Sequence, residues 1–140
     1  MSLIFKAVFK TYPFPIFDAD YLSQVIKKKQ AQYFCIRKEE RIVAIAAAEI
    51  DADNRGAEMT DFATLPEFRG QGLAKCLLAV MEQSMTKKGM KTAFSIARAL
   101  SPGMNILFAI NGYYFGGTLV NNTNIAGDIE SMNVWYKQLL

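Results

Sequence analysis

The side chains and backbone best placed to do chemistry lie between residues 58 and 74. Within them, Arg69-Gly70-Gln71-Gly72-Leu73-Ala74 stands where a strand-like segment passes through Leu65-Pro66-Glu67-Phe68 into an amphipathic helical pattern. Glycines at the mouth of a helix let the backbone approach a ligand, because no Cβ stands in the way. The first turn of a helix adds unpaired N–H groups and the positive end of its dipole, and both favour phosphate. The segment therefore suits a ligand carrying a pyrophosphate. The plain alternative is a tight strand-to-helix connection whose glycines serve geometry alone.

Spacing separates the ways of holding phosphate. A Walker loop needs Gly-Lys-Ser/Thr, and neither lysine nor hydroxyl follows Gly72 directly. The dinucleotide fingerprint needs a third glycine, where Lys75 stands, and an acidic residue about 20 positions on for the ribose. No Asp or Glu occurs between Glu82 and Asp128, so that reading fails. What remains is Arg-x-x-Gly-x-Ala, made by Arg69, Gly72 and Ala74.

Composition narrows the class. The 140 residues suit one globular domain, and with 51% hydrophobic and 21% charged residues a packed core is expected rather than disorder. No apolar run approaches the ~20 residues that span a bilayer, so no membrane partner is expected. Histidine is absent, which removes imidazole catalysis and most zinc sites, and no metal is expected. Cys35 and Cys76 lack ligand spacing and sit in apolar stretches, which suggests buried thiols in a reducing cytoplasm. A net charge of +3 is too small to imply nucleic acid. Its distribution says more: Lys87, Lys88, Lys91 and Arg98 lie in the acid-free stretch, where a polyanion would be welcome. Glu49, Asp51, Asp53, Glu58, Asp61 and Glu67 crowd the half before it, where a cationic substrate would look; ordinary charge scatter is the competing reading.

The elements that must position these residues follow from periodicity and punctuation. Helices are expected over 4–10 and 19–29, separated by Tyr12-Pro13-Phe14-Pro15 and with Asp18 capping the second. Residues 32–37 and 41–50 read as a hairpin, the alanines of 44–48 notwithstanding. Residues 57–64 form the next strand, then Leu73, Leu77, Val80 and Met81 mark a helix that Gly89 ends. A strand over 92–98, a helix from Ser101-Pro102 to about Asn111, and strands over 113–121 and 132–138 around a Gly127 loop complete the chain. The order implies an α+β fold with one mixed, largely antiparallel sheet.

Arg69, Gly72 and Ala74, in this strand–loop–helix setting, resemble the acyl-CoA-binding motif of the GNAT N-acetyltransferases. Toward the C-terminus, Ser95-Ile96-Ala97-Arg98-Ala99, Gly103-Met104-Asn105, Gly112-Tyr113, Gly117-Thr118-Leu119, Asn121-Asn122 and Glu130 to Trp135 resemble the β-lysine N-acetyltransferase family. The resemblance implies the GNAT fold over residues 1–140 and transfer of acetyl from acetyl-CoA to the N6 amine of L-β-lysine. The product in that family is the compatible solute N6-acetyl-β-lysine. The family also carries a further N-terminal region, including the first strand of its acetyltransferase domain, with no counterpart here. With Met1-Ser2-Leu3 read as an expression scar, the chain is expected to be a C-terminal domain or a short stand-alone relative. A sheet lacking its first strand leaves an open edge, which invites a homodimer by strand pairing.

Roles follow residue by residue from the resemblance. A lysine-type amine is neutral in about one molecule in a thousand at neutral pH, so a base is needed, and without histidine a carboxylate is the natural choice. Glu58 and Asp61 are the level candidates for base or amine binding. Three apart, they face opposite ways in an ideal strand: Glu58 with Thr60, Phe62 and Thr64, Asp61 with Met59 and Ala63. A bulge, frequent on this GNAT strand, would break that alternation. Phe62, Ala63 and Thr64 are expected along the pantetheine arm, with an oxyanion-binding N–H at Ala63 or Thr64. The amides of Arg69, Gly70, Gln71, Gly72, Leu73 and Ala74 are expected on the pyrophosphate, with Asn105 near the arm or bonding the helix start. Asn121, Asn122 and Glu130 are the substrate-binding candidates, an Asn-rich turn being the plain alternative. The position of the usual proton-donating tyrosine is Phe108, so the acid stays unassigned. Transfer to another amine, a polyamine or a protein lysine, and a non-catalytic CoA-binding sensor are the competing functions.

Overall fold

The computed structural model describes residues 1–125 and 127–139. Helices α1 (Ser2–Val8) and α2 (Ala19–Lys27) precede strands β1 (Ala31–Lys38), β2 (Arg41–Asp51) and β3 (Gly56–Thr64). Helix α3 (Leu73–Lys87), strand β4 (Thr92–Arg98), helix α4 (Pro102–Ile110) and strands β5 (Tyr114–Ile125) and β6 (Asp128–Gln138) follow. The prolines at 13 and 15 keep the first two helices apart, and the Asp18 side chain accepts from the Asp20 amide at 2.8 Å to start α2.

Six strands form one sheet in the order β1-β2-β3-β4-β6-β5, antiparallel except where β3 meets β4. The sheet is the mixed, largely antiparallel one expected, with β1 at one edge and β5 at the other. Helix α3 packs one face through Leu77, Leu78, Met81 and Met85. Alanines 44, 46 and 48 of β2 lie beneath it with no exposed surface, and such small residues let the helix come close. The opposite face carries Val43 and Ile45 under Ile4, Phe5 and Leu22 of α1 and α2. Burial on both faces is why an alanine run of good helix formers is a strand: tertiary packing overrides propensity.

Several expectations need correction. Val80 is 52% exposed and Leu78 takes its place in the apolar stripe of α3. Cys35 on β1 and Cys76 on α3 are exposed rather than buried. Ser101 makes no side-chain cap, although Pro102 does open α4. The asparagines at 121, 122 and 124 lie within a strand, because β5 and β6 stay paired to Ile125 and Asp128 across a bulge between Leu119 and Thr123. Between β5 and β6 the Gly127 amide donates to Thr11 Oγ1, in the segment joining α1 to α2, at 2.7 Å.

Candidate active site

The parallel pairing of β3 with β4 lasts only from Gly56–Thr92 to Glu58–Phe94. Beyond it the strands part, although β3 runs on to Thr64 and β4 to Arg98. The edge of β3 that faces β4 is therefore unpaired past Glu58, and an extended ligand arm can hydrogen-bond there as another strand would. A cleft of about 1190 Å³ occupies the gap. Phe62, Thr64, Arg69, Gly70, Gly72, Leu73 and Ala74 line it, while Ala63 and Gln71 do not.

At one end the chain turns through Gly70 (φ 75°) and Gly72 (φ 74°) into α3. A Cβ at either would meet no atom within 4 Å, so the left-handed backbone, not space, calls for glycine. The first amide to find a helical acceptor is that of Cys76, 3.1 Å from Gly72 O. Among the described residues, the amides from Gly70 to Lys75 find none. Arg69 differs from expectation: its amide reaches Pro66 O at 3.3 Å, and its Nε donates to Thr64 O at 3.2 Å. The row open to an anion is thus Gly70 to Lys75, acceptor-free amides at a helix N-terminus with Arg69 and Lys75 lining the same cleft.

At the other end lie the carboxylates. β2 and β3 fall out of register between Ile45–Ala63 and Ala47–Thr60, so Asp61 and Phe62 together oppose Ala46. Asp61 takes φ 54°, a left-handed conformation that Asp tolerates better than most residues. This bulge turns Asp61 onto the face of Glu58 and Thr60 and sends Phe62 to the opposite side, edge-on to Phe108 at 5.9 Å. The ideal alternation fails, as a bulge requires, and the two carboxylates share one wall of the cleft.

Their surroundings differ. Asp61 is 4% exposed and accepts from Tyr12 at 2.5 Å, and from Tyr33 and Thr60 at 3.4 Å each. Burial raises its pKa, and these three hydrogen bonds work against the rise. Glu58 has no such relief: burial, then the charges of Glu49 and Asp61, push it up to about 7. Glu49 is its direct cross-strand partner. Loss of water around them first, and then the Asp61 charge, raises both Tyr12 and Tyr33. A second hollow of about 430 Å³, floored by Glu49, Asp51 and Glu58 and walled by Phe14, Tyr21 and Phe94, adjoins the cleft at Glu58. Of the acids crowded between 49 and 67, Glu49, Asp51 and Glu58 meet there; Glu67 pairs with Arg41 at 3.1 Å instead.

Other candidates are placed differently. Asn105 does not line the cleft, because its amide is fully engaged. Nδ2 donates to Arg98 O at 2.9 Å and Ser101 O at 2.7 Å, while Oδ1 accepts from Asn133 at 3.0 Å and Trp135 at 2.9 Å. It fastens α4 to β4 and β6. Glu130 is 7% exposed and forms a two-pronged ion pair with Arg98, which leaves it no open edge for an ammonium. Asn122 lines the cleft; Asn121, at φ 46° on the β5 bulge, does not. Phe108 is wholly buried, and Tyr113 packs on it at 5.0 Å, its hydroxyl raised by burial and the Glu82 charge. Neither offers a proton to the cleft. Sequence reasoning missed Tyr12, Tyr33 and the Arg98 pair. A tyrosine opening a Tyr-Pro-Phe-Pro run carries no local sign of a carboxylate 49 positions on.

The model of the acetyltransferase (GNAT) family matches residues 2–104. A Methanococcus maripaludis protein named beta-lysine N(6)-acetyltransferase is 47% identical over 137 residues, covering 98% of this chain and 50% of that one. The chain spans about half the length of the curated relatives it matches. Among solved structures, the ribosomal-protein-S18-alanine N-acetyltransferase from Escherichia coli superposes with a TM-score of 0.80 at 17% identity, over 99% of this chain and 84% of that one. A spermidine N-acetyltransferase from Vibrio cholerae in complex with CoA and spermine gives 0.75 at 19%, over 86% and 72%. At those identities the structures establish the fold.

Proposed function

The chain belongs to the acetyltransferase (GNAT) family, and from that membership we propose that it transfers acetyl from acetyl-CoA to the N6 amine of L-β-lysine, with Glu58 as base. The observation that carries the mechanism is a carboxylate of pKa about 7 on the wall of a cleft that ends in an acceptor-free amide row. The name of the Methanococcus relative supports the acceptor.

Acetyl-CoA fits what is present. The row from Gly70 to Lys75 suits its pyrophosphate, and the unpaired edge of β3 from Phe62 to Thr64 suits its amide-bearing arm. When bound, it supplies an acetyl thioester as electrophile. The chain's own groups do the rest. Glu58, ionised in about half of the molecules at pH 7, accepts the proton that makes the amine nucleophilic. Glu49 and Asp51, in the adjoining hollow, add negative charge that draws a cationic acceptor toward Glu58. An N–H of Ala63 or Thr64 stabilises the oxygen on which charge develops. Asp61 raises the Glu58 pKa by its charge and accepts from Tyr12, which lines the cleft, and from Tyr33. A cytoplasmic enzyme producing N6-acetyl-β-lysine as a compatible solute is the extension that the resemblance supports.

The test is acetyl-CoA-dependent thiol release with L-β-lysine, α-lysine and spermidine side by side, products identified by mass. Preference for L-β-lysine with acetyl on N6 is the expected result. Preference for another amine refutes the acceptor and keeps the transferase. Acetyl-CoA binding without release from any amine refutes the catalytic reading in favour of a sensor.

A further inference from the structure

We infer that Arg98, set in place by Glu130, is the specificity residue that holds the carboxylate of the acceptor, so that the cleft selects an amino acid over a simple diamine. This rests on the amine-acetylating function proposed above and assigns the other pole of the same substrate. β4 alternates its side chains: Ala93 and Ala97 face α3, while Phe94 walls the acidic hollow. Ile96 and Arg98 follow Phe94 on its face and line the cleft. The charged residues lining the cleft are Lys10, Glu58, Asp61, Arg69, Lys75 and Arg98. Arg69 and Lys75 lie at the acceptor-free amides, and Lys10 lies 3.9 Å from where a Cβ of Gly127 would sit. Arg98 is the cation on the strand that parts from the Glu58 and Asp61 strand to form the cleft.

The ion pair is what prepares it. Nε donates to Glu130 Oε1 at 3.0 Å and Nη2 to Oε2 at 2.9 Å. That is the side edge of the guanidinium. A guanidinium has five N–H groups in one plane, so three remain, and the two on the end edge, from Nη1 and Nη2, run parallel. Among the described residues no acceptor is bonded to Nη1. Parallel N–H groups match a second carboxylate, and a planar fork already fixed by Glu130 loses little freedom on binding it. Glu130 is 7% exposed on its side chain and Arg98 32%, so the carboxylate is sealed in while the guanidinium keeps an open side. Glu130 is therefore a positioning residue that acts through Arg98. It is also why Glu130 faces a guanidinium rather than a substrate ammonium.

The experiment compares L-β-lysine with its carboxamide, which keeps the shape and both amines but not the negative charge. The readout is the ratio of the two kcat/KM values. A hydrogen-bonded charged group contributes about 10- to 150-fold, and the pairing of Arg98 with Glu130 puts the expected preference of the native chain toward about 10- to 50-fold for the acid. Arg98→Lys keeps a cation beside Glu130 but loses the fork; Arg98→Gln with Glu130→Gln replaces the ion pair by a neutral one. In both, the ratio should fall to within about threefold of unity, because KM of the acid rises far more than KM of the carboxamide. Equal loss on both substrates would make the pair structural and overturn the inference, as would a native chain that does not distinguish acid from amide. Failure of the proposed function looks different: neither compound would be acetylated by the native chain.

Discussion

Replacing Glu58 by glutamine should make the protein more stable at alkaline pH while stopping its chemistry. The folded-state pKa of about 7 lies above the ordinary 4.5. The folded chain therefore holds a proton that the unfolded chain releases, and the sign follows from linkage: stability falls as pH rises from about 4.5 to 7, then levels. The 2.5-unit difference between those values corresponds to about 3.4 kcal/mol at 1.36 per unit. Glu58 is only partly buried, so solvent screening lowers this to about 2 kcal/mol. Glutamine mimics the protonated side chain and escapes the penalty. For a chain of this length that is a rise of about 6 °C in Tm at pH 8, shrinking toward zero near pH 4.5. Thermal unfolding of both proteins across that range measures it, with turnover at pH 8 measured on the same samples. An unchanged or lower Tm at pH 8, or a gain independent of pH, would refute the account of Glu58 as a strained, charged base.

The pH dependence of kcat/KM in the native chain should rise about tenfold per unit below pH 7 and flatten above, and Glu58→Gln should lower kcat by about 10²- to 10⁴-fold. Asp61→Asn keeps a residue tolerant of φ 54° but removes a charge that raises Glu58, so the acid limb of that profile should move to lower pH. Gly72→Ala meets no clash, so its cost is the left-handed backbone alone, about 1–2 kcal/mol; calorimetric titration should show weaker acetyl-CoA binding as the amide row shifts. Asn105→Ala breaks four hydrogen bonds and should lower stability by about 2–4 kcal/mol in denaturant unfolding.

The glycine loop that opens α3 could be read from sequence because its physics is local. Two glycines with positive φ and a helix start occupy a handful of consecutive residues, and a proline marks the approach. The order of elements was legible for the same reason, since periodicity, prolines and glycines act over one or two turns. The carboxylate pair was half legible. Glu58 and Asp61 could be named, but only the bulge opposite Ala46 decides that they share a face, and a bulge depends on how two strands match. The asparagines of β5 look like a turn by composition; Asn124 is paired with Ile129 of β6, while Asn121 and Asn122 fall in the bulge between Leu119 and Thr123. Glu130 and Asn105 looked free for ligands; their partners Arg98, Asn133 and Trp135 lie 28 to 32 residues away along the chain. The raised pKa of Glu58 arises in the same way, from burial and from the Glu49 and Asp61 charges gathered around it. Residue types and short spacings specify the parts and the loop, whereas which charges meet, and how dry they are, is set by contacts distant in the chain that exist only once the sheet has formed.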